Sequence, residues 1–391
     1  MTGTMTSTLT LPRLDGSLAP FTLSEPRDWP RPSGPFRNRV AYAAAHVVAD
    51  PRRDVDVFTE NAIDWDATLA YRRHLWGYGF AIAEAMDTAQ RGGGLTWKSA
   101  QELIRRSQAA ASAEGGTIAF GAGTDHLMPT PSVTLDEVRR AYEEQVGFVE
   151  GVGGRVILMA SRALAKAARS ADDYREIYGG VLRQVRQPVI LHWLGDMFDP
   201  QLTGYWGTTD LGQAMEVCLG VIEEHRDMVD GIKISLLDAQ REIDMRRRLP
   251  KGVRMYTGDD FNYAELIEGD DQGYSDALLG IFDGVAPAAS VALQAFDAGD
   301  VDTFRSVIEP TVPLSRHIFR KPTHAYKTGI VFLAYLNGHQ EHFRMLGGAE
   351  SARTAVHLAE LIRLADAAGL LSDPELAASR ARGVFAVAGI R

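Results

Sequence analysis

Cysteine is almost missing from this chain: Cys218 is the single one in 391 residues. One cysteine excludes an intramolecular disulfide framework, and its place in the helix-like run AMEVCLGVIEE reads as a small buried apolar residue. Long apolar runs are missing as well. No stretch of about 18 apolar residues occurs, so no membrane-spanning helix is expected. Runs of Lys and Arg are absent and the formal charge is −10, which argues against nucleic acid or an acidic membrane surface as partner. The opening MTGTMTSTLTLPRLDGS has no basic start followed by an apolar run, so a secretory signal is not expected and a cytoplasmic location is the default. No G-x-G-x-x-G stands in a strand-to-helix turn, which weakens a dinucleotide-binding fold. No bound cofactor or metal is implied.

What the chain does have is rhythm. Residues 1–37 are rich in Thr, Ser and Pro without a sustained period and read as an arm that wraps a neighbouring surface or stays partly disordered. From residue 38 onward, short apolar runs recur: RVAYAAAHVV, GFAIAEAM, TIAFGAG, RVILMAS, PVILHWL, GIKISLL, VRMYTGDD and ALLGIFDG. Amphipathic segments such as WDATLAYRRHLWGY and SAQELIRRSQAAASA separate most of them. Near-continuous apolar strands alternating with helices imply a parallel sheet, and eight of them imply a closed (β/α)8 TIM barrel. The strands are predicted to begin near residues 39, 79, 117, 155, 188, 231, 253 and 277. The barrel is expected over 38–287 and a helical C-terminal region over 288–391.

Reactive groups in such a barrel come from the C-terminal ends of the strands. Those ends are polar here: His46; Glu84, Asp87 and Thr88; Asp125 and His126; Ser161 and Arg162; His192 and Asp196; Lys233; Asp259 and Asp260; Asp283. One polar residue at a strand end is ordinary, whereas a ring drawn from all eight strands points to a polar ligand pocket. Lys233 is its sharpest member, because it stands between Ile232 and Ile234 in VDGIKISLLDA. An unpaired ammonium is costly to bury. Burial also lowers a lysine pKa and frees the amine to attack a carbonyl. The structural alternative is an ammonium paired with Asp259 or Glu84.

The stretch DGIKISLLD resembles the strand that carries the imine-forming lysine in the dihydrodipicolinate synthase and N-acetylneuraminate lyase family. MYTGDDFNYAELIEGDDQGYSDALLGIFDGVAP, RQPVILHWLG, FAIAEAMDTAQ and AGDVDTFRSVIEPTVPLSRHIF resemble further segments of that family, so the likeness spans about residues 38–371. The resemblance implies a Schiff-base lyase, aldolase or dehydratase acting on a small carbonyl substrate through Lys233, and a homodimer or homotetramer. Two departures qualify it. The family's proton-relaying tyrosine falls on His192, whose unperturbed pKa near 6.5 suits acid–base work. The family's two-threonine carboxylate binder falls on Asp87 and Thr88, where an anion would repel a substrate carboxylate. A hydroxyl-rich carbonyl compound, such as a sugar derivative, would suit Glu84, Asp87, Thr88, Asp125, Asp259 and Asp260 better.

Between His192 and Lys233 the segment DMFDPQLTGYWGTTD is longer than a loop and helix need. It reads either as a lid hinged at Gly204 and Gly207 or as a surface or subunit contact. The apolar run HAYKTGIVFLAYLNGHQEHF is expected to pack mostly on the barrel, with part facing another subunit. Two rival functions stay open. A metal-dependent isomerase, epimerase or lyase would use His46, Glu84, Asp125, His126, His192 and Asp259 as ligands. A catalytically inactive barrel would bind a metabolite as a regulator.

Overall fold

The computed structural model describes residues 7–390. It separates into two compact units, one holding Arg39–Ala45 and Ala81–Gly280, the other holding the described residues up to Asn38, His46–Phe80 and those from Ile281 onward. The first unit is a closed barrel of parallel strands and the second is mostly helical. The chain is therefore a (β/α)8 barrel with a helical C-terminal region, as its apolar rhythm predicts.

Two strands, β1 (Thr8–Pro12) and β2 (Leu18–Thr22), form an antiparallel hairpin in the helical unit. The barrel strands are β3 (Ala41–Ala44), β4 (Ala81–Glu84), β5 (Ile118–Ala122), β6 (Arg155–Leu158), β7 (Val189–Leu194), β8 (Val229–Ser235), β9 (Arg254–Thr257) and β10 (Asp276–Leu279). They pair in chain order and close where β10 meets β3. Each begins within two residues of the start predicted from sequence. Residues buried on both faces explain why these strands read as continuous apolar runs.

Register fixes what faces the interior. Ile190 pairs with Gly231, His192 with Lys233, and Lys233 with Tyr256. Side chains alternate faces along a strand, and directly paired residues share one. Ile190 and Tyr256 belong to the apolar cluster that fills the barrel, with Tyr42, Ala83, Ile157, Met159 and Leu278. His192 and Lys233 therefore face the interior, one layer toward the C-terminal ends in the case of β7.

The helices of the barrel unit start at side-chain caps readable in the sequence. Thr96 accepts from Ser99 N ahead of Trp97–Glu114, Thr134 forms a capping box with Glu137 ahead of Leu135–Gly151, and Asp210 accepts from Gly212 N and Gln213 N ahead of Leu211–Glu224. Each cap satisfies amides that a helix start leaves unpaired.

In the helical unit, the hairpin lies on the helices Ala355–Ala367 and Pro374–Val387. Arg363 donates to Pro12 O at 3.0 Å, Arg382 to Thr8 O at 2.9 Å, and Trp29 Nε1 to Gly369 O at 2.7 Å. The N-terminal arm thus wraps a helical surface, and its residues 7–37 carry a hairpin that five-residue strands containing Pro12 and Pro20 did not announce. The arm's first six residues lie outside the described ones. The helix Tyr326–Leu336 buries nearly its whole circumference within this unit, so that part of the apolar run does not present a free face for another subunit. Among the described residues no helix is long and apolar enough to cross a membrane.

Candidate active site

Lys233 is 7% exposed. Its aliphatic stem crosses the backbone of Gly258, where an added Cβ would come within 2.7 Å of Lys233 Cε and 2.4 Å of Ser235 Oγ. Only glycine allows that approach, because the side chain and the next strand share the same space. Burial lowers the pKa of the amine below 10.5, against the charges of Asp260 and then Asp87, which favour the ammonium. The carboxylates whose charge bears on Lys233 are Asp260 and Asp87, where the structural alternative had named Asp259 or Glu84.

His192 is 2% exposed, and its Nε2 lies 3.3 Å from Ser235 Oγ. Burial, reinforced by the charge of Lys233, drives its pKa well below 6.5. The imidazole is therefore neutral at physiological pH, which corrects the expectation of an untuned group. A neutral ring beside a buried amine has a lone pair that can accept a proton, whereas two like charges at this spacing would disfavour each other. Lys233, His192, Ser235, Asp260 and Asp87 are the polar groups brought together on β7, β8 and the ends of β4 and β9.

Other members of the predicted ring are engaged elsewhere. Glu84 follows Ala83 on the opposite face of β4. It accepts from Ser107 Oγ at 2.7 Å, on the helix Trp97–Glu114, and from Ala85 N at 2.9 Å. Its carboxylate is turned into the strand–helix layer, away from the barrel interior. Asp259 caps the turn before the helix Tyr263–Glu268, accepting from Phe261 N at 2.8 Å, Asn262 N at 3.0 Å and Asn262 Nδ2 at 2.8 Å. Asp125 is held by Arg91, whose Nε lies 3.0 Å from its Oδ2, and by Gln145 Nε2 at 2.9 Å. Burial pushes its pKa up, but Arg91 and these hydrogen bonds more than offset that and leave it lowered. Thr88 is buried in the short turn Asp87–Ala89. His46 and Asp283 pair with each other in the helical unit, Nδ1 to Oδ2 at 2.9 Å. His126 meets Gln145 Nε2 at 2.7 Å through Nδ1 and Glu144 at 3.3 Å through Nε2. Among the described residues, no three His, Cys, Asp or Glu side chains converge in a metal-ligating cluster, so the six donors of the metal reading do not form one donor set.

Arg91 escaped the sequence reading. It is 4% exposed and donates to Ala85 O at 3.2 Å and Gly121 O at 3.1 Å, besides holding Asp125. It lies seven residues beyond the end of β4, in the Gly-rich AQRGGGL, and composition alone gives no sign that such an arginine folds inward.

The 196–210 loop also differs from a lid. Tyr205 accepts from Ser161 N at 3.0 Å and hydrogen-bonds Tyr178 at 2.9 Å. Trp206, 1% exposed, packs its ring 4.6 Å from that of Tyr178 and 6.2 Å from that of Trp193. Trp193 alternates with the inward His192, so this aromatic layer lies on the outer face of the strands. Gly207 is packed against another stretch of backbone, since a Cβ there would lie 2.6 Å from Ala171 N. Phe198, Leu202, Tyr205 and Trp206 anchor the loop as part of the core.

Glu242, on the helix Ala239–Arg246, is a further buried carboxyl outside the predicted ring. Ser275 Oγ donates to it at 2.6 Å, and burial raises its pKa to about 8. The folded chain then keeps a proton that the unfolded chain releases above about 4.5. Its contribution is full below that pH and is lost as pH climbs through about 8. Urea unfolding across this window should show stability falling with pH, and Glu242→Gln should flatten the slope. An unchanged slope in Glu242→Gln would show that the proton is not held there.

Comparisons with known proteins agree with this architecture. The eight-stranded barrel with its helical extension has the fold of the dihydrodipicolinate synthase structures. YagE, a prophage protein of the dihydrodipicolinic acid synthase family from E. coli K12 in complex with pyruvate, matches with TM-score 0.65 and 12% identity, over 85% of this chain and 99% of its own. Dihydrodipicolinate synthase from Thermotoga maritima matches with TM-score 0.63 and 13% identity, over 86% of this chain and 100% of its own. A monomeric dihydrodipicolinate synthase variant matches with TM-score 0.62 and 15% identity, over 87% of this chain and 100% of its own. By sequence, the chain belongs to the family described as "Protein of unknown function (DUF993)", whose model matches residues 9–390. No curated protein matches it in sequence.

Proposed function

We propose that this protein is a Schiff-base-forming lyase, aldolase or dehydratase that acts on a small carbonyl compound through Lys233. The observation that carries the reading is the buried, interior-facing amine of Lys233, biased toward its neutral form and paired across strands with a neutral His192. A neutral amine attacks the carbonyl carbon, and loss of water leaves an imine. Once protonated, the imine accepts the electron pair of a neighbouring C–C or C–H bond as that bond breaks, giving an enamine. In a dehydration the enamine then pushes out the β-hydroxyl, whose C–O pair leaves with the oxygen as it is protonated to water. His192 takes up or returns the proton that this exchange requires, with Ser235 within hydrogen-bonding distance of it. Water then hydrolyses the imine and restores Lys233.

Substrate charge follows from the same pocket. Asp87 and Asp260 reach the amine with their negative charge, and a keto acid would bring a third carboxylate close to them. A carbonyl compound carrying hydroxyls, such as a sugar derivative, would donate to these oxygens, with Thr88 beside Asp87. Assembly as a homodimer or homotetramer and a cytoplasmic location belong to this reading.

Reductive trapping tests it. Borohydride added with a panel of hydroxy-aldehydes and hydroxy-ketones should add the reduced mass of one of them to the peptide bearing Lys233. Labelling spread over surface lysines, with Lys233 unmodified, would sink the proposal.

A further inference from the structure

The helical unit contains a pocket of about 330 Å3 that takes no part in the chemistry above, a volume in the range of small-molecule sites. Leu333, Ala334, Pro287 and Leu370 give it an apolar wall. His74 and His339 line it with ring centroids 4.2 Å apart, and the buried Tyr71 stacks on His74 and meets His339 edge-on. Arg27 and Asp28 stand at its exposed side, where the Arg27 guanidinium lies 4.2 Å over the Trp29 ring.

We infer that this pocket binds a small organic carboxylate with a single-ring or short apolar body, its carboxylate received by His74, His339 and Arg27. Such a ligand lays its hydrocarbon on the apolar wall and supplies the negative charge that the two imidazoles would need in order to take up protons. Burial holds His74 at a pKa of about 4 and His339 at about 3. Arg31 and His46 add to the effect on His74, against Asp283, while His74, His46 and Arg380 add to it on His339. Asp28, Tyr71 and Tyr78 are the remaining titratable groups of the lining. Arg27, Arg31 and Arg380 thus stand around the rings with Asp28 and Asp283, and Arg380 is itself paired with Glu341 at 2.9 Å. An arriving carboxylate raises both imidazole pKa values and lets the rings donate as imidazolium. The complex then holds more protons than the free protein, so affinity rises as pH falls. This inference is independent of the Schiff-base reading, because every residue it uses lies in the helical unit.

Benzoate is a suitable probe, titrated calorimetrically into the full-length protein in two buffers of different ionisation heat. It should bind roughly fivefold or more tightly near pH 6 than near pH 8, with net proton uptake. His339→Asn and the exposed Arg27→Ala should each weaken it by roughly tenfold, while Lys233→Met leaves it unchanged. The inference is overturned by no saturable binding at millimolar benzoate, by equal affinity at both pH values, or by unchanged binding in Arg27→Ala. Loss of binding in Lys233→Met would overturn it too, by moving benzoate to the barrel. Thermal melts of each variant identify any loss that is merely unfolding, and Arg27→Ala then carries the decision.

Discussion

Lys233→Met should abolish turnover and borohydride-dependent labelling while the protein unfolds at nearly its wild-type temperature. Methionine keeps the length and apolar packing of the stem over Gly258 and removes only the amine. Fold and chemistry separate cleanly here because the amine is buried at a cost: burial disfavours its ammonium, so its removal takes away a desolvation penalty. A supporting ammonium would behave in the opposite way, since its loss would strand the charges of Asp260 and Asp87 and lower stability. In wild type, the labelling rate should rise with pH as the amine loses its proton, with a half-point below the 10.5 of an ordinary lysine. Activity within about tenfold of wild type, equivalent to about 1.4 kcal/mol of barrier, would remove Lys233 from the mechanism.

Trp206→Ala should destabilise the protein by about 3–5 kcal/mol, the usual range for deleting a buried Trp or Phe side chain, as read by urea unfolding. The indole is 1% exposed and packs among Tyr174, Tyr178, Trp193 and Tyr205. Trp206 also holds a φ of 72°, a conformation that a non-glycine residue keeps only when its surroundings enforce it. Without the indole, the 196–210 loop loses both its packing and the reason for that turn. A loss below about 1 kcal/mol, within the range of ordinary surface changes, together with an altered KM, would restore the lid.

Strand positions were legible in the sequence because residues buried on both faces leave continuous apolar runs, and such runs have few other readings. Lys233, His192, Asp87 and Asp260 were legible for a related reason: each is a polar interruption or terminus of one of those runs. The failures have separate causes. Glu84 was assigned by its place at a strand end, although the two-residue alternation from the inward Ala81 and Ala83 already sets it on the outer face. Asp259 was read as a ligand, whereas an aspartate three residues before Asn262 at a helix start is also a capping pattern. Asp125 could not be judged without Arg91, whose inward turn depends on a Gly-rich loop with little periodicity. The lid reading of Tyr205 and Trp206 counted glycines as hinges, when Gly207 is small because another backbone presses against it.

The contact between Lys233 Cε and Gly258 has an entropic consequence. A lysine side chain carries about 2 kcal/mol of rotamer entropy in solution, and a floppy amine would give up part of it each time it met a carbonyl. Here the stem is confined between its own strand and the glycine of the next before any substrate arrives. That ordering is settled once, when the chain folds, and under the proposed Schiff-base chemistry it would not be repeated in each reaction cycle. Enlarging residue 258 would therefore re-aim the amine, and a Gly258→Ala protein that folds should still form the imine, only more slowly.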